Sequence, residues 1–306
     1  MSSTLTQPRL KTPLVVRTIK ELRETLAHLR KEKAGLKTGF VPTMGYLHDG
    51  HGSLIRRSAA ENGLTVLSIF VNPLQFGPNE DLDRYPRDEE RDLQLAQREG
   101  ADIVFLPSVQ EMYPRRPLTR VLVSEVTESL CGASRPGHFD GVGTVVSKLF
   151  HIVEPTRAYF GLKDAQQVAV VQQMVDDLNF NVEIVACPTL REQDGLALSS
   201  RNVYLSPQQR VEALVLSRTL LQASEWSKEA GITAGQLEER VRLALSRSPL
   251  ASIDYAELRR YPSLEAIEPQ QQLDEALQHS PLLLALAVRF GNTRLIDNAI
   301  LSMKGA

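Results

Sequence analysis

Leu64-Thr65-Val66-Leu67-Ser68-Ile69-Phe70-Val71 is a nearly continuous apolar and β-branched run. A strand written that way is covered on both faces, and such strands belong to parallel sheets with helices packed above and below. The neighbouring segments fit that arrangement. Thr18 and Glu21 have capping-box spacing, and Ile19, Leu22, Leu26 and Leu29 then recur at helical spacing until Gly35. A short strand over 39–42 and a helix over 51–62 follow. Beyond 64–71 the pattern predicts a helix over 87–99 closed by Gly100 and a strand over 102–106. It continues with helices over 142–152 and 166–178 and strands over 157–160 and 182–185. This alternation predicts a doubly wound, Rossmann-like α/β domain over residues 1–186, with right-handed crossovers. Periodicity says nothing about the order of the strands.

After Cys187-Pro188 the texture changes. Long polar helices over 206–231 and 233–246 precede strand-like runs at 253–258 and 282–288, the pattern of a smaller α+β domain over residues 187–306. At 306 residues the chain is long enough for two cores. A formal net charge of −2 supplies no overall basic field for a nucleic acid. No run of about 18 apolar residues occurs, which argues against a membrane partner, and residues 1–11 read as a polar frayed tail rather than a signal peptide. Cys131 and Cys187 are far apart and outside any CxxC spacing. They are expected to be buried thiols of a cytoplasmic protein, not a disulfide or a zinc site.

The segment Val41-Pro42-Thr43-Met44-Gly45-Tyr46-Leu47-His48-Asp49-Gly50-His51 leaves a strand and enters a helix. H-x-G-H spacing lets two imidazoles face one anion, and Gly50 leaves room for a phosphate near the backbone. Free N–H groups at the helix start are expected to add positive potential. Doubly wound folds bind ligands beyond the carboxyl ends of their strands, where this segment falls. By itself, HxGH is a four-residue pattern that an ordinary strand-to-helix turn also accommodates. A second set narrows the reading. Gly161-Leu162-Lys163-Asp164 again follows a strand and opens a helix, with Lys163 as a point charge for phosphate. Leu198-Ser199-Ser200-Arg201 adds two hydroxyls and a guanidinium suited to phosphate oxygens. Together these segments resemble the nucleotidylyltransferase superfamily, in which HxGH and a later Lys/Ser-rich loop close on ATP. Neither GxxxxGK[ST] nor GxGxxG is present, so adenylyl transfer is favoured over γ-phosphoryl or hydride transfer.

Further motifs sharpen the resemblance. Residues 41–45, Ser68-Ile69-Phe70-Val71-Asn72-Pro73-Leu74-Gln75-Phe76, Asp83-Arg84-Tyr85-Pro86-Arg87 and Arg135-Pro136-Gly137-His138-Phe139-Asp140-Gly141-Val142 are similar to the pantothenate synthetase family. So are Lys163-Asp164-Ala165-Gln166-Gln167, Asp194-Gly195-Leu196-Ala197-Leu198-Ser199-Ser200-Arg201-Asn202 and Arg294-Leu295-Ile296-Asp297-Asn298. The resemblance spans nearly the whole chain and implies ATP-dependent condensation of D-pantoate with β-alanine through pantoyl-adenylate, giving the coenzyme A precursor pantothenate, AMP and pyrophosphate.

It also implies His48, His51 and Lys163 as catalytic residues, with His51 the proton donor. Implied ATP contacts are Met44, Gly45, Tyr46, Leu47, His48, Asp49, Gly50, His51, Gly161, Leu162, Lys163, Asp164, Leu190, Leu198, Ser199, Ser200 and Arg201. Gln75 and Gln167 are implied to hold pantoate, with Asn72, Pro42 and Met44 beside them. Asp92 matches an acidic position near a Mg2+ ion, and a homodimer is implied. His138, in a Gly/Pro-flanked loop, fits either a pocket wall or a structural hydrogen bond. Departures from the family pattern are Tyr46, Leu162 where glutamate is usual, Gly52 and Ala165. Gly52 is expected to weaken the first helical turn by about 1 kcal/mol. Two alternatives share the HxGH chemistry: another nucleotidylyltransferase, which would not need the two glutamines, and a class I aminoacyl-tRNA synthetase fragment, which would need a basic tRNA surface. A non-catalytic nucleotide sensor is a third, and retention of His48, His51, Lys163, Gln75 and Gln167 argues against it.

Overall fold

The computed structural model describes residues 12–78, 80 and 82–303; the expected tail over 1–11 lies outside the described residues. In chain order the first elements are β1 (Leu14–Val16), α1 (Ile19–Glu32), β2 (Thr38–Thr43), α2 (Asp49–Glu61), β3 (Leu64–Ile69), α3 (Glu89–Glu99) and β4 (Ile103–Phe105). Next come α4 (Val109–Met112), α5 (Leu130–Ser134), α6 (His138–Val153), β5 (Arg157–Gly161), α7 (Ala165–Asp177) and β6 (Glu183–Cys187). The last are α8 (Pro207–Glu212), α9 (Val215–Trp226), α10 (Ala234–Leu245), β7 (Ala251–Arg260), α11 (Leu273–His279), β8 (Leu282–Phe290) and β9 (Thr293–Leu301).

The chain forms two compact units. The first runs to Val121 and adds Asp140–Phe160 and Val175–Cys187; the second takes Leu122–Phe139, Gly161–Met174 and the chain from Pro188. Sequence pattern places one boundary near 187, whereas two earlier segments pack with the C-terminal part. Buried hydrogen bonds hold them there. Gln166 Nε2 donates to the carbonyls of Val126 at 3.0 Å and Ser129 at 2.8 Å, and its Oε1 accepts from Cys131 N at 2.9 Å. The Cys131 thiol in turn lies 3.1 Å from the Tyr255 hydroxyl. Contacts over such sequence separations leave no periodic trace.

In the first unit six strands make one sheet in the order β1-β4-β3-β2-β5-β6, and the pairings from β1 through β5 are parallel. Every residue of β3 is buried, as its unbroken apolar run requires. Leu67 of β3, Val41 of β2 and Val104 of β4 share a core with Ile55 of α2 and Leu95 and Ala96 of α3. The strand order reverses at β2, so a crevice for ligands opens at the carboxyl end of that strand. Thr18 Oγ1 caps α1 by accepting from Glu21 N at 3.2 Å. The Glu21 carboxylate reaches Arg17 N instead of completing the box. Gly100, at φ +93°, ends α3 as its sequence suggested.

The second unit carries the antiparallel sheet β7-β8-β9. Leu284, Leu286 and Val288 of β8 pack with Leu216 and Leu220 of α9, Leu237 and Val241 of α10 and Leu273 of α11. The helix expected over 206–231 is interrupted after Glu212. There Leu214 N bonds to Val211 O and Leu216 N to Ala213 O, a tighter i→i−3 pattern that separates α8 from α9. Both cysteines are buried free thiols. Among the described residues no helix is long and apolar enough to cross a membrane.

Candidate active site

The HxGH segment of the first unit makes a helix cap out of its two histidines. His48 is the N-cap of α2, and its Nδ1 accepts from Gly50 N at 3.2 Å. His51, three residues on, returns the bond by accepting from His48 N at 3.3 Å through its own Nδ1. The arrangement is a capping box in which imidazoles replace the usual Ser/Thr and Glu/Gln. It also sets the tautomer: a neutral ring whose Nδ1 accepts carries its proton on Nε2. The rings lie 4.1 Å apart at 37°, so two such N–H donors stand side by side at one helix start. Asp49, at the first helical position, pairs with Arg98 at 2.9 Å.

Three backbone N–H groups of the turn that precedes the helix find their partners within the protein. Asp92 of α3 is buried, and its carboxylate oxygens accept from Tyr46 N at 2.8 Å and Leu47 N at 2.6 Å. Gly45 N turns to Thr43 Oγ1. Donors that could have faced a phosphate are thus satisfied within the turn, and the Leu47 side chain sits in the core. Burial pushes the Asp92 carboxyl up, against the two backbone N–H groups that stabilise its charge. Gly45 at φ +82° and Tyr46 at φ 50° give the turn its left-handed path. A Cβ on Gly45 would stand 2.9 Å from Ile69 Cγ2, so glycine is required there twice over. The Tyr46 ring lies under the Arg91 guanidinium, 4.8 Å from its centre.

Asp92 therefore does not fit the expected role of metal ligand; it shapes the turn. Among the described residues no group of three or more His, Cys, Asp or Glu is arranged to hold a metal ion. Gly52 also has a purpose that its helix propensity conceals. A Cβ there would come within 3.2 Å of Glu99 Cγ, and the buried Glu99 carboxylate pairs with Arg56 at 2.6 Å and Arg98 at 2.8 Å.

Beside the turn, Gln75 Nε2 donates to Met44 Sδ at 2.9 Å. Pro42, at the end of β2, pairs in register with Ser68 of β3. Asn72, expected to face the substrate, is almost fully buried and makes four internal hydrogen bonds. Its Nδ2 donates to Gln75 Oε1 and Gly141 O, and its Oδ1 accepts from Leu74 N and Tyr113 OH. An amide has no further capacity. Asn72 supports Gln75 instead of contacting a ligand.

In the second unit, Lys163 sits in a short turn, Leu162–Asp164, with its ammonium 4.0 Å from Asp164 Oδ2. Ser199 Oγ caps the following turn, Ser200–Tyr204, by accepting from Arg201 N at 3.3 Å. A hairpin closed by the Arg191–Ala197 bridge, with Gly195 at φ +100°, carries Leu190 and Leu198; Leu198 N donates to Leu190 O at 3.0 Å. Lys163, Asp164, Gln167, Ser199 and Arg201 line one cavity; Gly161, Leu162, Leu190, Leu198 and Ser200 are not among its walls. Arg135, His138 and Arg294 line it too, three cationic or protonatable groups whose place only the folded chain reveals. Their motifs were visible, but isolated arginines carry no signal of convergence. His138 opens α6 with Nε2 3.0 Å from Arg135 Nη1, so it is both a wall and a structural partner.

Comparison with known proteins bears on this arrangement. A family model described as pantoate-beta-alanine ligase matches residues 14–300. A pantothenate synthetase from Acetivibrio thermocellus is 53% identical over 290 residues, covering 94% of this chain and 99% of the relative. One from Pelotomaculum thermopropionicum is 54% identical over 288 residues, covering 94% and 99%. Among solved structures, the pantothenate synthetase of Thermus thermophilus superposes with a TM-score of 0.84 at 46% identity, over 94% of this chain and 99% of that one. A pantoate-beta-alanine ligase from Francisella tularensis, complexed with beta-gamma ATP and beta-alanine, gives 0.74 at 33% identity, over 94% and 97%. With a family model that matches residues 14–300 and relatives more than half identical along almost its whole length, the chain belongs to the pantoate-beta-alanine ligase family.

Proposed function

We propose that this chain carries out the reaction for which its family is named, joining D-pantoate to β-alanine with ATP as the activating substrate. A carboxylate is a poor acyl donor, so the condensation runs in two steps. A pantoate carboxylate oxygen attacks the α-phosphorus of ATP, the bond to the β-phosphate oxygen breaks, and pyrophosphate leaves. The neutral amine of β-alanine then attacks the acyl carbon of pantoyl-adenylate. The acyl–oxygen bond breaks, AMP departs, and the amine proton passes to solvent.

The observation that supports this reading most directly is the pair of Nε2–H donors fixed by the histidine cap. Charge builds on the α-phosphoryl oxygens as the first step proceeds, and preorganised donors stabilise it without reorganising. His51 and His48 supply two such donors; Lys163, Ser199, Ser200 and Arg201 supply charge and hydroxyls for the departing pyrophosphate. Gln75 and Gln167 hold pantoate, their neutral amides serving both its hydroxyls and its carboxylate. Mg2+ would come with the triphosphate and would offset its charge; no ligand from this chain is assigned. A homodimer in the cytoplasm completes the reading, and two buried free thiols suit a reducing compartment.

The test is exchange of labelled pyrophosphate into ATP. Exchange that depends on pantoate and needs no β-alanine is expected. Exchange that ignores pantoate would overturn the assignment of substrate.

A further inference from the structure

The Gln75 amide does not take its orientation by itself. We propose that Tyr113, in the turn after α4, is a positioning residue that holds Asn72 in place and, through it, the face of Gln75 offered to pantoate. The inference rests on the reading of Gln75 as a pantoate-binding residue.

A chain of hydrogen bonds runs inward from Tyr113 to Gln75. The Tyr113 ring is held by Phe70, 6.0 Å away between centroids, and by the Lys148 ammonium 5.1 Å above its centre. Lys148 is itself anchored by donating to Met112 O. Burial pushes the phenol up to about 12, so it keeps its proton throughout the working range. That proton goes to Asn72 Oδ1 at 3.0 Å, and Leu74 N, at 3.3 Å, is the second donor to the same oxygen. The Asn72 amide cannot flip, because the flip would turn Nδ2 toward Leu74 N, which only donates, and Oδ1 toward Gly141 O, which only accepts; the Tyr113 hydroxyl adds the side-chain bond that holds the amide in that orientation. Its Nδ2 must therefore face Gly141 O at 3.1 Å and Gln75 Oε1 at 3.2 Å.

The last link decides the polarity of the pocket. Once Gln75 Oε1 accepts from Asn72, its Nε2 is turned toward Met44 Sδ, a weak acceptor. Gln75 thus meets a ligand as a donor. A carboxylate or hydroxyl oxygen can replace the thioether at little cost, whereas a flipped amide would present a carbonyl to an anion. Gly141 makes the relay possible, since a Cβ there would lie 2.4 Å from Leu74 O and 2.5 Å from Gln75 Cα.

Tyr113→Phe removes the phenolic donor and keeps the ring. Pantoate KM is expected to rise roughly 5–10-fold, the effect of one lost hydrogen bond, with ATP KM within about twofold and Tm nearly unchanged. Gln75→Ala is measured alongside. If Gln75→Ala leaves pantoate KM unmoved, the pantoate reading fails and the inference with it. If Gln75→Ala raises it and Tyr113→Phe does not, the relay alone is overturned. The double variant separates action through Gln75 from a general loosening. It should bind pantoate no worse than Gln75→Ala, and fully additive losses would overturn the relay. Asn72→Asp, which keeps the acceptor for Tyr113 but loses the donor to Gln75, must reproduce the pantoate defect; a normal pantoate KM there would also overturn it.

Discussion

Asn298 of β9 gives its side-chain amide to the main-chain carbonyls of Leu162 and Lys163, each at 2.8 Å. The residue before it, Asp297, is buried and binds both Nη atoms of Arg191 at 2.6 and 2.9 Å. Two consecutive residues on one strand thus fix the Lys163 turn and the hairpin that carries Leu190 and Leu198. Asn298→Asp would set a carboxylate against two carbonyl oxygens. Its expected result is a several-fold rise in ATP KM with pantoate KM little changed, measured in the exchange assay. Equal changes in both would show that the contact serves folding alone. Asp297→Ala leaves the Arg191 charge without its partner and should cost about 3 kcal/mol in denaturant unfolding.

The histidine cap separates stability from chemistry. His51→Ala removes a cap acceptor and the proposed donor to the reacting phosphate. It should lower the adenylation rate roughly 10²–10³-fold and stability by about 1 kcal/mol. His51→Gln restores a capping-box acceptor but not the imidazole. It should recover the stability, read as Tm, while the rate stays low. A near-normal rate in either variant would remove His51 from the proposed chemistry.

Asp92 organises the turn from beneath. Asp92→Asn replaces one of its two oxygens by an N–H2 group that must face a backbone N–H. A loss of about 1–3 kcal/mol is expected from the unsatisfied buried donor, with a rise in ATP KM. Since the carboxylate is already satisfied by Tyr46 and Leu47, extra Mg2+ should not rescue the variant. Rescue by Mg2+ would return Asp92 to the metal.

Acid sensitivity can be traced to Glu61. The Arg57 guanidinium, 2.9 Å away, holds this carboxyl below its ordinary 4.5, with burial opposing the shift and the Tyr159 hydroxyl adding to it. A lowered folded-state pKa means that the unfolded chain takes up this proton first. The stabilisation is therefore complete above the ordinary value and is lost as the pH falls through the folded one. Glu61→Gln should flatten the decline of Tm as the pH falls below the ordinary 4.5. Parallel declines in variant and parent would rule out this origin.

The sequence alone determined the character of the elements and the identity of the chemistry. The β3 run could only be a doubly covered strand, because its apolar side chains point both ways. Gly100 could be read as a helix end because its conformation is local. HxGH, Lys163 and the two glutamines were legible as motifs because reacting groups must be of particular types. Other features depended on side chains far apart in the chain. The order β1-β4-β3-β2-β5-β6 follows from pairing partners that periodicity does not encode. A three-residue strand such as β1 is too short to show a period at all. Asp92 looked like a metal-binding carboxylate until the fold brought the Tyr46 and Leu47 N–H groups to it. Asn72 looked like a substrate contact until Tyr113 and Gly141 saturated its amide. Tertiary structure decided these roles because a polar side chain's function is set by the partners that satisfy it, and those partners lie 45 and more residues away for Asp92, and 41 and 69 away for Asn72.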